Sequence, residues 1–321
     1  MSQPHDTRPA PGAVTVRVPA KVNLALCVGP LRDDGFHELS TVFHAVSLYD
    51  DVVVEPAERL SVGVVGEGAD DVPLDDRNLA VQAVRAVAAL TGREPAVRLT
   101  IRKGIPVAGG MAGGSADAAG ALVAVDALWD TGLDRETMLG LAAGLGSDVP
   151  FALQGGTALG AGRGEQLSPV LGRGTYHWVF ALADGGLSTP AVYAALDAMR
   201  AEQPQPEANL DGVLAALRSG DPVALGRTLC NDLQPAALRL RPQLGRVLEA
   251  GREVGAVGAV VSGSGPTVAF LTRSADDGVH VAAALAGMDV CRGIRRADGP
   301  VAGARVVVDE PVEAAPAGPR R

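Results

Sequence analysis

Lysine is nearly absent from this 321-residue chain, although basic residues as a class are not. Lys21 and Lys103 are the only lysines among 28 basic side chains, and all the others are arginines. An ammonium is a compact point charge, whereas a guanidinium is a wide planar fork. The composition therefore raises the question of whether either lysine occupies a site that needs the smaller cation.

Aromatic residues and runs of positive charge are also scarce. Aromatic side chains make up 3% of the sequence, and 37 acidic residues give a formal net charge of −9. Binding to duplex nucleic acid needs clustered positive charge, and binding to single strands needs aromatic stacking surfaces. We therefore expect no nucleic-acid partner, although a small nucleotide needs only one pocket.

Cysteine and long apolar runs are the remaining shortages. The three cysteines, Cys27, Cys230 and Cys291, form no C-x-x-C pair, which disfavours a disulfide framework or a zinc site and fits a reducing compartment. The first residues show no signal-peptide pattern, and the longest apolar runs, about ten residues, are too short to span a membrane. We expect a cytoplasmic protein, monomeric or homodimeric, with no membrane partner.

The pattern of apolar residues predicts an α+β fold. With 47% hydrophobic residues the chain can bury a core, and its length suggests two domains. Strands are predicted at 14–18, 21–28, 39–48, 52–55, 97–102, 177–183, 257–262 and 267–272; helices are predicted at 79–90, 115–129, 135–145 and near 190–200, 208–218, 243–253 and 275–286. Asp50 and Asp51 are predicted to form a hairpin turn between two strands. The elements are interleaved without strict strand–helix alternation, which favours α+β over a doubly wound parallel sheet.

A glycine-rich segment, PVAGGMAGGSAD at 106–117, lies between a predicted strand and a predicted helix. Gly109, Gly110, Gly113 and Gly114 let the backbone approach a ligand and direct several N–H groups to one point. The positive end of the following helix also favours an anion. The segment is neither a Walker A loop nor G-x-G-x-x-G, so the two standard nucleotide motifs are absent. We interpret it as a phosphate-binding loop rather than a flexible connector.

Two charged residues could carry out chemistry beside this loop. Asp148, in GSDVPF, could act as a base, or it could cap the segment that follows. Lys21 lies in an apolar strand with Asn23 on the same face, so the two could hold a hydroxyl group together with its base. The alternative for Lys21 is an edge strand with the ammonium in water. Lys103 ends a strand at R-K-G, which is typical of a solvated turn residue.

Two further segments allow more than one interpretation. Phe36 and His37 in the DDGFH loop could hold a flat ring, or Phe36 could anchor the loop on the core. The stretch SGSGPT at 262–267 could be a second binding loop or a tight hairpin turn. It does not fit the G-x-S-x-G nucleophile motif. The five histidines offer no H-E-x-x-H metal pattern.

These segments in this order resemble the GHMP kinase superfamily. The resemblance runs from about Val14 to Asp309 and is carried by AKVNL at 20–24, RDDGFH at 32–37, IPVAGGMAGGS at 105–115, LGSDVP at 145–150 and GSGPT at 263–267. The glycine-rich motif alone indicates only the superfamily. A-K-x-N-L together with D-G-[YF]-H is similar to the branch that acts on a cytidine diphosphate substrate, rather than to the mevalonate or homoserine kinases.

The resemblance implies an ATP- and Mg²⁺-dependent kinase for the 2-hydroxyl of a methylerythritol group, in the non-mevalonate route to isoprenoid precursors. A mevalonate- or homoserine-type alcohol acceptor is the alternative, and a catalytically dead sensor is a rival from another class that would lack the base or the lysine. The implied catalytic residues are Lys21, Asp148 and Asn23. The implied ATP-binding residues are Pro106, Val107, Ala108, Gly109, Gly110, Met111, Ala112, Gly113, Gly114, Ser115 and Ala116. The implied substrate-binding residues are Phe36, His37, Thr189, Gly263 and Ser264, and the Mg²⁺ ligands are unknown.

The resemblance also implies a domain order and two departures from the family pattern. An N-terminal domain like the second domain of ribosomal protein S5 is expected at 13–165, a ferredoxin-like domain at 166–311, and tails at 1–12 and 312–321, with the site in the cleft. Position 36 is Phe where Tyr is common, so stacking is retained without a phenolic hydrogen bond. Ala108, Ala112 and Ala116 replace residues that are often Gly or Ser, which makes the loop tighter.

Overall fold

A computed structural model describes residues 12–202 and 210–307. The tails at 1–12 and 312–321 lie outside the described residues, apart from Gly12. The strands are β1 Val14–Leu31, β2 His37–Pro56, β3 Ser61–Gly66, β4 Val97–Lys103, β5 Thr157–Ala161, β6 Gln166–Pro169, β7 Tyr176–Leu182, β8 Cys230–Asn231, β9 Gly258–Val261, β10 Val268–Thr272, β11 Gly293–Gly299 and β12 Arg305–Val307. The helices are α1 Leu79–Thr91, α2 Gly113–Trp129, α3 Arg135–Leu145, α4 Val149–Gln154, α5 Thr189–Glu202, α6 Asp211–Ser219, α7 Pro222–Thr228, α8 Gln234–Leu240, α9 Gln243–Glu253 and α10 Ala275–Gly287.

The larger sheet is built on two long antiparallel strands, β1 and β2. Its main path is β12-β1-β2-β4-β3, with β5 and β6 attached beyond β2 and β8 attached to β1. Helices α1 and α2 pack on it, and their alanines and valines form the main core with the strands. Helix α1 begins where Asn78 accepts a hydrogen bond from the N–H of Ala80, and it ends at Gly92 in the left-handed conformation.

The prediction of two pairs of short strands was wrong for β1 and β2. The two segments predicted at 14–18 and 21–28 form one strand, β1, and those at 39–48 and 52–55 form one strand, β2. A register shift between Pro19 and Ala20 bends the β1–β2 ladder but does not interrupt it. Asp50 is therefore not in a hairpin turn. It lies within β2 opposite Val18 and is fully buried.

The smaller sheet has the strand order β11-β7-β10-β9, and all three of its pairings are antiparallel. With the intervening helices, its chain order is β-α-β-β-α-β, the ferredoxin-like arrangement expected from the sequence. Alternate residues of β7 and β10 face opposite cores, so this sheet is covered on both sides. The α+β fold class is confirmed.

The chain passes between the two sheets more than once. Strands β8 and β12 come late in the sequence but pair with β1 in the larger sheet. The division at 165/166 stays a prediction. Across the described parts of the chain, no helix is both long and apolar enough to serve as a membrane span.

Packing of α2 on the larger sheet gives a first testable prediction. A Cβ at Gly120 would lie 2.6 Å from Val52 Cγ2 and 3.0 Å from Val18 Cγ2. Gly120→Ala should therefore lower the free energy of unfolding by about 1–3 kcal/mol through overpacking. Gly140→Ala in α3 is the control, because nothing lies within 4 Å of its Cβ position and alanine should stabilise that helix by up to about 1 kcal/mol. Equal effects in urea unfolding would contradict this packing.

His44 lies where the two sheets meet. Its Nδ1 is 2.9 Å from Thr157 Oγ1, and its ring packs against Tyr176, with 5.7 Å between the ring centroids. The residue is completely buried, and burial lowers its pKa from 6.5 to about 4. The neutral imidazole is therefore part of the packing between the sheets.

This histidine should make stability depend on pH. The unfolded chain binds the proton near the ordinary pKa, so the contribution of neutral His44 is full above pH 6.5 and is lost as the pH falls toward 4. Between pH 8 and pH 5 the free energy of unfolding of the native protein should fall by about 2 kcal/mol more than that of the His44→Gln variant. The exposed His280 provides the control, because His280→Gln should retain the native pH dependence in urea unfolding. If the unfolding free energy of His44→Gln depended on pH as strongly as that of the native protein, His44 would not be the source of this pH dependence.

Candidate active site

A cavity of about 640 Å³ lies between the larger and smaller sheets. Its walls come from β1, β2, the glycine-rich loop, the start of α4, the start of α5 and the turn between β9 and β10. The sequence places candidate functional residues on each of these elements. The fold therefore brings together segments that are far apart in the chain.

Lys21 is the central charged group of this cavity. Its side chain is 8% exposed, its Nζ donates a 2.7 Å hydrogen bond to Asn23 Oδ1, and Asp148 Oδ2 lies 3.6 Å away. The ring of Phe43 lies beneath the ammonium at 5.7 Å. The interpretation of Lys21 as an edge-strand residue with its head in water is wrong, because β1 is an interior strand and the ammonium is paired within the protein.

Asn23 is held in one orientation by the residues around it. Its Nδ2 donates to Thr41 Oγ1 at 2.8 Å, and that hydroxyl donates to the Ala25 carbonyl at 2.7 Å. Because the amide nitrogen of Asn23 donates its hydrogen bond to Thr41, the amide oxygen of Asn23 faces Lys21. The ammonium is therefore fixed in position before any ligand binds.

Asp148 occupies the N-cap position of α4 but does not cap the helix with its side chain. Its carboxylate instead points toward Lys21 and is 30% exposed to the cavity. Pro at the start of α4 needs no N–H partner, which reduces the demand for a cap. The N-cap interpretation is therefore right for the backbone but not for the side chain, and the interpretation of Asp148 as a base stays a prediction.

The glycine-rich loop forms the wall between the larger cavity and a smaller one of about 280 Å³. Gly110 has φ 74°, and Ala108 and Ala112 also have positive φ values of 54° and 61°. Left-handed backbone costs an alanine roughly 1–2 kcal/mol, so the surrounding structure must hold these two residues in place. Ala112 is the N-cap of α2 and offers no side-chain cap, which leaves the first N–H groups of the helix available to an anion.

The loop residues differ in which cavity they face. Those along the smaller cavity are Pro106, Val107, Ala108, Gly109, Gly110, Met111, Ala112, Gly113 and Gly114. Ser115 faces the larger cavity, as do Gly110 and Ala112. Ala116 faces neither, because it is fully buried and its N–H donates to the Ala112 carbonyl.

The segment at 262–267 is a hairpin turn that also forms part of the cavity wall. It joins the antiparallel strands β9 and β10, and Ser262 Oγ donates to the Gly110 carbonyl at 3.1 Å. A Cβ at Gly110 would lie 2.2 Å from the Ser262 carbonyl oxygen, so only glycine allows this approach. Gly263 and Ser264 line the larger cavity, where Ser264 Oγ is 2.9 Å from Thr189 Oγ1.

Phe36 and His37 line the cavity near the end of β1, where His37 pairs with Leu31, whereas Lys21 lies ten residues earlier in β1 and donates its backbone N–H to Met111 of the glycine-rich loop. Phe36 is 50% exposed and stacks on the Arg163 guanidinium at 5.0 Å, so it does not anchor its loop on the core. His37 is buried, with Nδ1 3.0 Å from the Gly29 carbonyl and Nε2 3.3 Å from an Asp197 carboxylate oxygen. The ring of Tyr193 stacks on His37 with 5.2 Å between centroids.

Tyr193 and Asp197 are site residues that the sequence interpretation missed. Both lie on α5, and with Thr189 they are spaced four residues apart, which places all three on one face of the helix. All three line the larger cavity. That spacing was the available signal, but it is weak because any helix face shows it.

Lys103 is the clearest error of the sequence interpretation. Instead of a solvated turn residue, it is a buried side chain whose Nζ donates to Asp50 Oδ2 at 2.5 Å and to Asp117 Oδ2 at 2.8 Å. Although burial opposes it, the charges of Asp117 and Asp50 raise the pKa of Lys103.

One ammonium cannot balance two buried carboxylates. Burial, with the nearby charge of Asp50, raises the pKa of Asp117 to about 8. Asp117 Oδ1 has no hydrogen-bond partner among the described residues, which also disfavours its ionised form. Near neutral pH the cluster therefore holds Lys103 charged and Asp117 mostly protonated.

Over residues 12–202 and 210–307, no three His, Cys, Asp or Glu side chains converge on a point that could hold a metal ion. Mg²⁺ in phosphoryl-transfer sites typically uses one or two protein oxygens, with phosphates and waters supplying the rest. Ser115 offers such an oxygen on the wall of the larger cavity. The residues present therefore fit a magnesium ion that arrives with a phosphate ligand.

Comparisons with known proteins agree with this geometry. Models of the GHMP kinases N terminal domain and the GHMP kinases C terminal domain match residues 78–156 and 213–288. A 4-diphosphocytidyl-2-C-methyl-D-erythritol kinase of Mycolicibacterium smegmatis is 59% identical over 305 residues, covering 92% of this chain and 93% of that protein. The enzyme of the same name from Salinispora tropica is 56% identical over 309 residues, covering 95% of this chain and 98% of that protein.

A solved structure supports the same relationship at the level of the fold. The crystal structure of a 4-(cytidine 5'-diphospho)-2C-methyl-D-erythritol kinase has a TM-score of 0.71 and 34% identity, and it covers 88% of this chain and 98% of that one. Sequence identity of this extent, together with the glycine-rich loop and the site that it borders, identifies the family. The chain belongs to the GHMP kinases.

Proposed function

We propose that the protein transfers the γ-phosphoryl group of ATP to the 2-hydroxyl of 4-diphosphocytidyl-2-C-methyl-D-erythritol. The observation that carries the proposal is the buried Lys21 ammonium, which lies between Asn23 and Asp148 on a cavity wall shared with the glycine-rich loop. The choice of acceptor is supported by the names of relatives that are 56–59% identical over nearly the whole chain.

Asp148 is proposed as the general base. The acceptor is a tertiary alcohol, which is hindered and weakly acidic, so a positioned carboxylate should contribute strongly to the rate. Lys21 Nζ, 3.6 Å from this carboxylate, stabilises the negative charge that develops on the acceptor oxygen as its proton leaves. Asn23 holds the ammonium in place.

The glycine-rich loop and the start of α2 are proposed to bind the phosphates of ATP. The uncapped N–H groups at the start of α2 and the positive end of its dipole offset the charge of the phosphates. Mg²⁺, when bound with ATP, would supply further charge neutralisation, and Ser115 on the cavity wall offers a protein oxygen that could hold it.

The part of the cavity lined by Phe36 and His37 is proposed to bind the cytosine ring. His37 and Tyr193 already stack on one another, and Phe36 presents an exposed face beside them. Flat aromatic faces and a carboxylate, Asp197, next to His37 suit a ring that carries an exocyclic amine. The phosphates of the acceptor would then extend toward Arg163, which also lines this cavity.

The acceptor assignment is tested by a comparison of alcohols. We expect kcat/KM for 4-diphosphocytidyl-2-C-methyl-D-erythritol to exceed that for mevalonate and for homoserine by at least about 10⁴-fold, because only the first fills both ends of the cavity. A coupled ADP-release assay on the purified protein measures this ratio. Comparable values, or a preference for either smaller alcohol, would overturn the proposed substrate while leaving the kinase family intact.

The role of the base is tested by Asp148→Asn. This variant keeps the shape of the side chain but cannot accept the proton, so kcat should fall by about 10²–10⁴-fold. Asp197→Asn is the control, since it changes a carboxylate on the same cavity to the same amide. It should raise KM for the cytidine substrate and leave kcat within about threefold. Near-native kcat in a folded Asp148→Asn variant would show that Asp148 is not the base.

The need for an ammonium is tested by Lys21→Arg. The space around Nζ is limited by Asn23 and by Gly263, whose Cβ position lies 3.4 Å from Nζ, so a guanidinium would displace the acceptor hydroxyl. We expect kcat to fall by at least about 10²-fold. The opposite exchange, Arg163→Lys beside Phe36, should affect KM for the cytidine substrate rather than kcat. Equal losses of kcat in the two variants would contradict this role for Lys21.

A further inference from the structure

The second lysine lies on the other side of the glycine-rich loop from the proposed reaction centre. Lys103 is the last residue of β4, three residues before the glycine-rich segment at 106–117, and Asp117 is the last residue of that segment, in the first turns of α2. Both side chains line the smaller cavity together with the loop. The 2.8 Å hydrogen bond from Lys103 Nζ to Asp117 Oδ2 therefore joins the two ends of the loop.

Asp50 completes this connection from the neighbouring strand. Its Oδ1 accepts hydrogen bonds from the N–H groups of Gly104 and Ile105, at 2.7 and 2.9 Å, and its Oδ2 accepts from Lys103 Nζ at 2.5 Å. One buried carboxylate thus fixes the residues that lead into the loop and also the ammonium that holds its far end. We call Asp50, Lys103 and Asp117 the loop clasp.

The loop clasp has little freedom to move. The side chains of its three members are at most 3% exposed, and the Cβ position of Gly113 lies only 3.2 Å from Lys103 Nζ. Ala108 and Ala112 in the loop adopt left-handed conformations that alanine does not favour. A loop in such a conformation needs its ends held, because a released loop would relax toward negative φ.

We infer that Lys103 is a positioning residue for phosphate binding, acting through Asp50 and Asp117 to hold the two ends of the glycine-rich loop in its binding shape. This inference rests on the proposed assignment of the loop to ATP. Lys103 acts through the backbone that it orders, not through contact with the transferred group. Its effect should therefore fall on ATP and not on the acceptor.

The test measures binding and kinetics for both substrates. Lys103→Met should raise the Kd for a non-hydrolysable ATP analogue, measured by calorimetry, and the KM for ATP at least about tenfold. KM for the cytidine substrate should stay within about twofold. Lys103→Arg keeps the buried charge but replaces the compact ammonium with a wider group. We expect a smaller increase in the Kd for the ATP analogue and in the KM for ATP, and no change in the KM for the cytidine substrate.

Two further variants keep the test decisive. Lys103→Met leaves the Asp50 carboxylate buried without its cation, so it could unfold the protein. The double variant Lys103→Met with Asp50→Asn removes the unpaired charge and should still bind the ATP analogue at least about tenfold more weakly. Asp126→Asn is the matched control: Asp126 accepts hydrogen bonds from Thr131 and Leu133 at the other end of α2. This control should lower thermal stability without altering ATP binding.

The outcomes separate the inference from the proposed function. If the native protein does not bind the ATP analogue, the assignment of the loop to ATP fails. If the native protein binds it and the folded double variant and Lys103→Arg bind it equally well, the positioning role of Lys103 is overturned. The positioning role is also overturned if Asp126→Asn weakens ATP binding as much as the Lys103 variants do, because the weaker binding would then reflect general destabilisation of the protein.

Discussion

A buried ammonium needs an anion within contact distance, and the structure meets this need twice, once on each side of one loop. Lys21 is held by Asn23 and Asp148 on the side of the larger cavity. Lys103 is held by Asp50 and Asp117 on the side of the smaller cavity. Leaving either cation unpaired would cost several kcal/mol, so these contacts constrain how β1, β2, β4, α2 and α4 pack.

The two lysines differ in what their partners leave available. Asp148 remains partly exposed, so the pair that it forms with Lys21 can meet a ligand. Asp50 is fully buried and uses both oxygens within the protein, so its pair with Lys103 can only order the backbone. Both lysines are buried, so the difference lies in the exposure of their partner carboxylates. Lys21, whose partner Asp148 is partly exposed, is proposed to act in the reaction, whereas Lys103, whose partner Asp50 is buried, is inferred to position the loop.

Much of this arrangement could be predicted from the sequence because it depends on local patterns. Helices α1 and α3 follow from apolar spacing with a cap at each start, and the glycine-rich loop follows from its composition. The fold class follows from the interleaving of the elements, and the family from short motifs in a fixed order. The candidate residues Lys21, Asn23 and Asp148 come together as those motifs imply.

The errors concern residues whose environment is set by distant parts of the chain. Two adjacent aspartates usually mark a turn, yet Asp50 lies inside a strand because Lys103, 53 residues later, balances its charge. Lys103 in turn has the local pattern of a solvated turn residue. Neither residue can be interpreted without the other, and nothing in the local sequence links them.

The central claim is that Asp148 and Lys21 face the acceptor hydroxyl while the glycine-rich loop holds the phosphates. A crystal structure with an ATP analogue and the cytidine substrate tests it most directly. We expect the acceptor hydroxyl oxygen about 3 Å from an Asp148 carboxylate oxygen, with the γ-phosphate on the loop side and the cytosine ring beside His37 and Phe36. An acceptor bound with its hydroxyl away from Asp148, or a nucleotide bound away from the loop, would contradict the account.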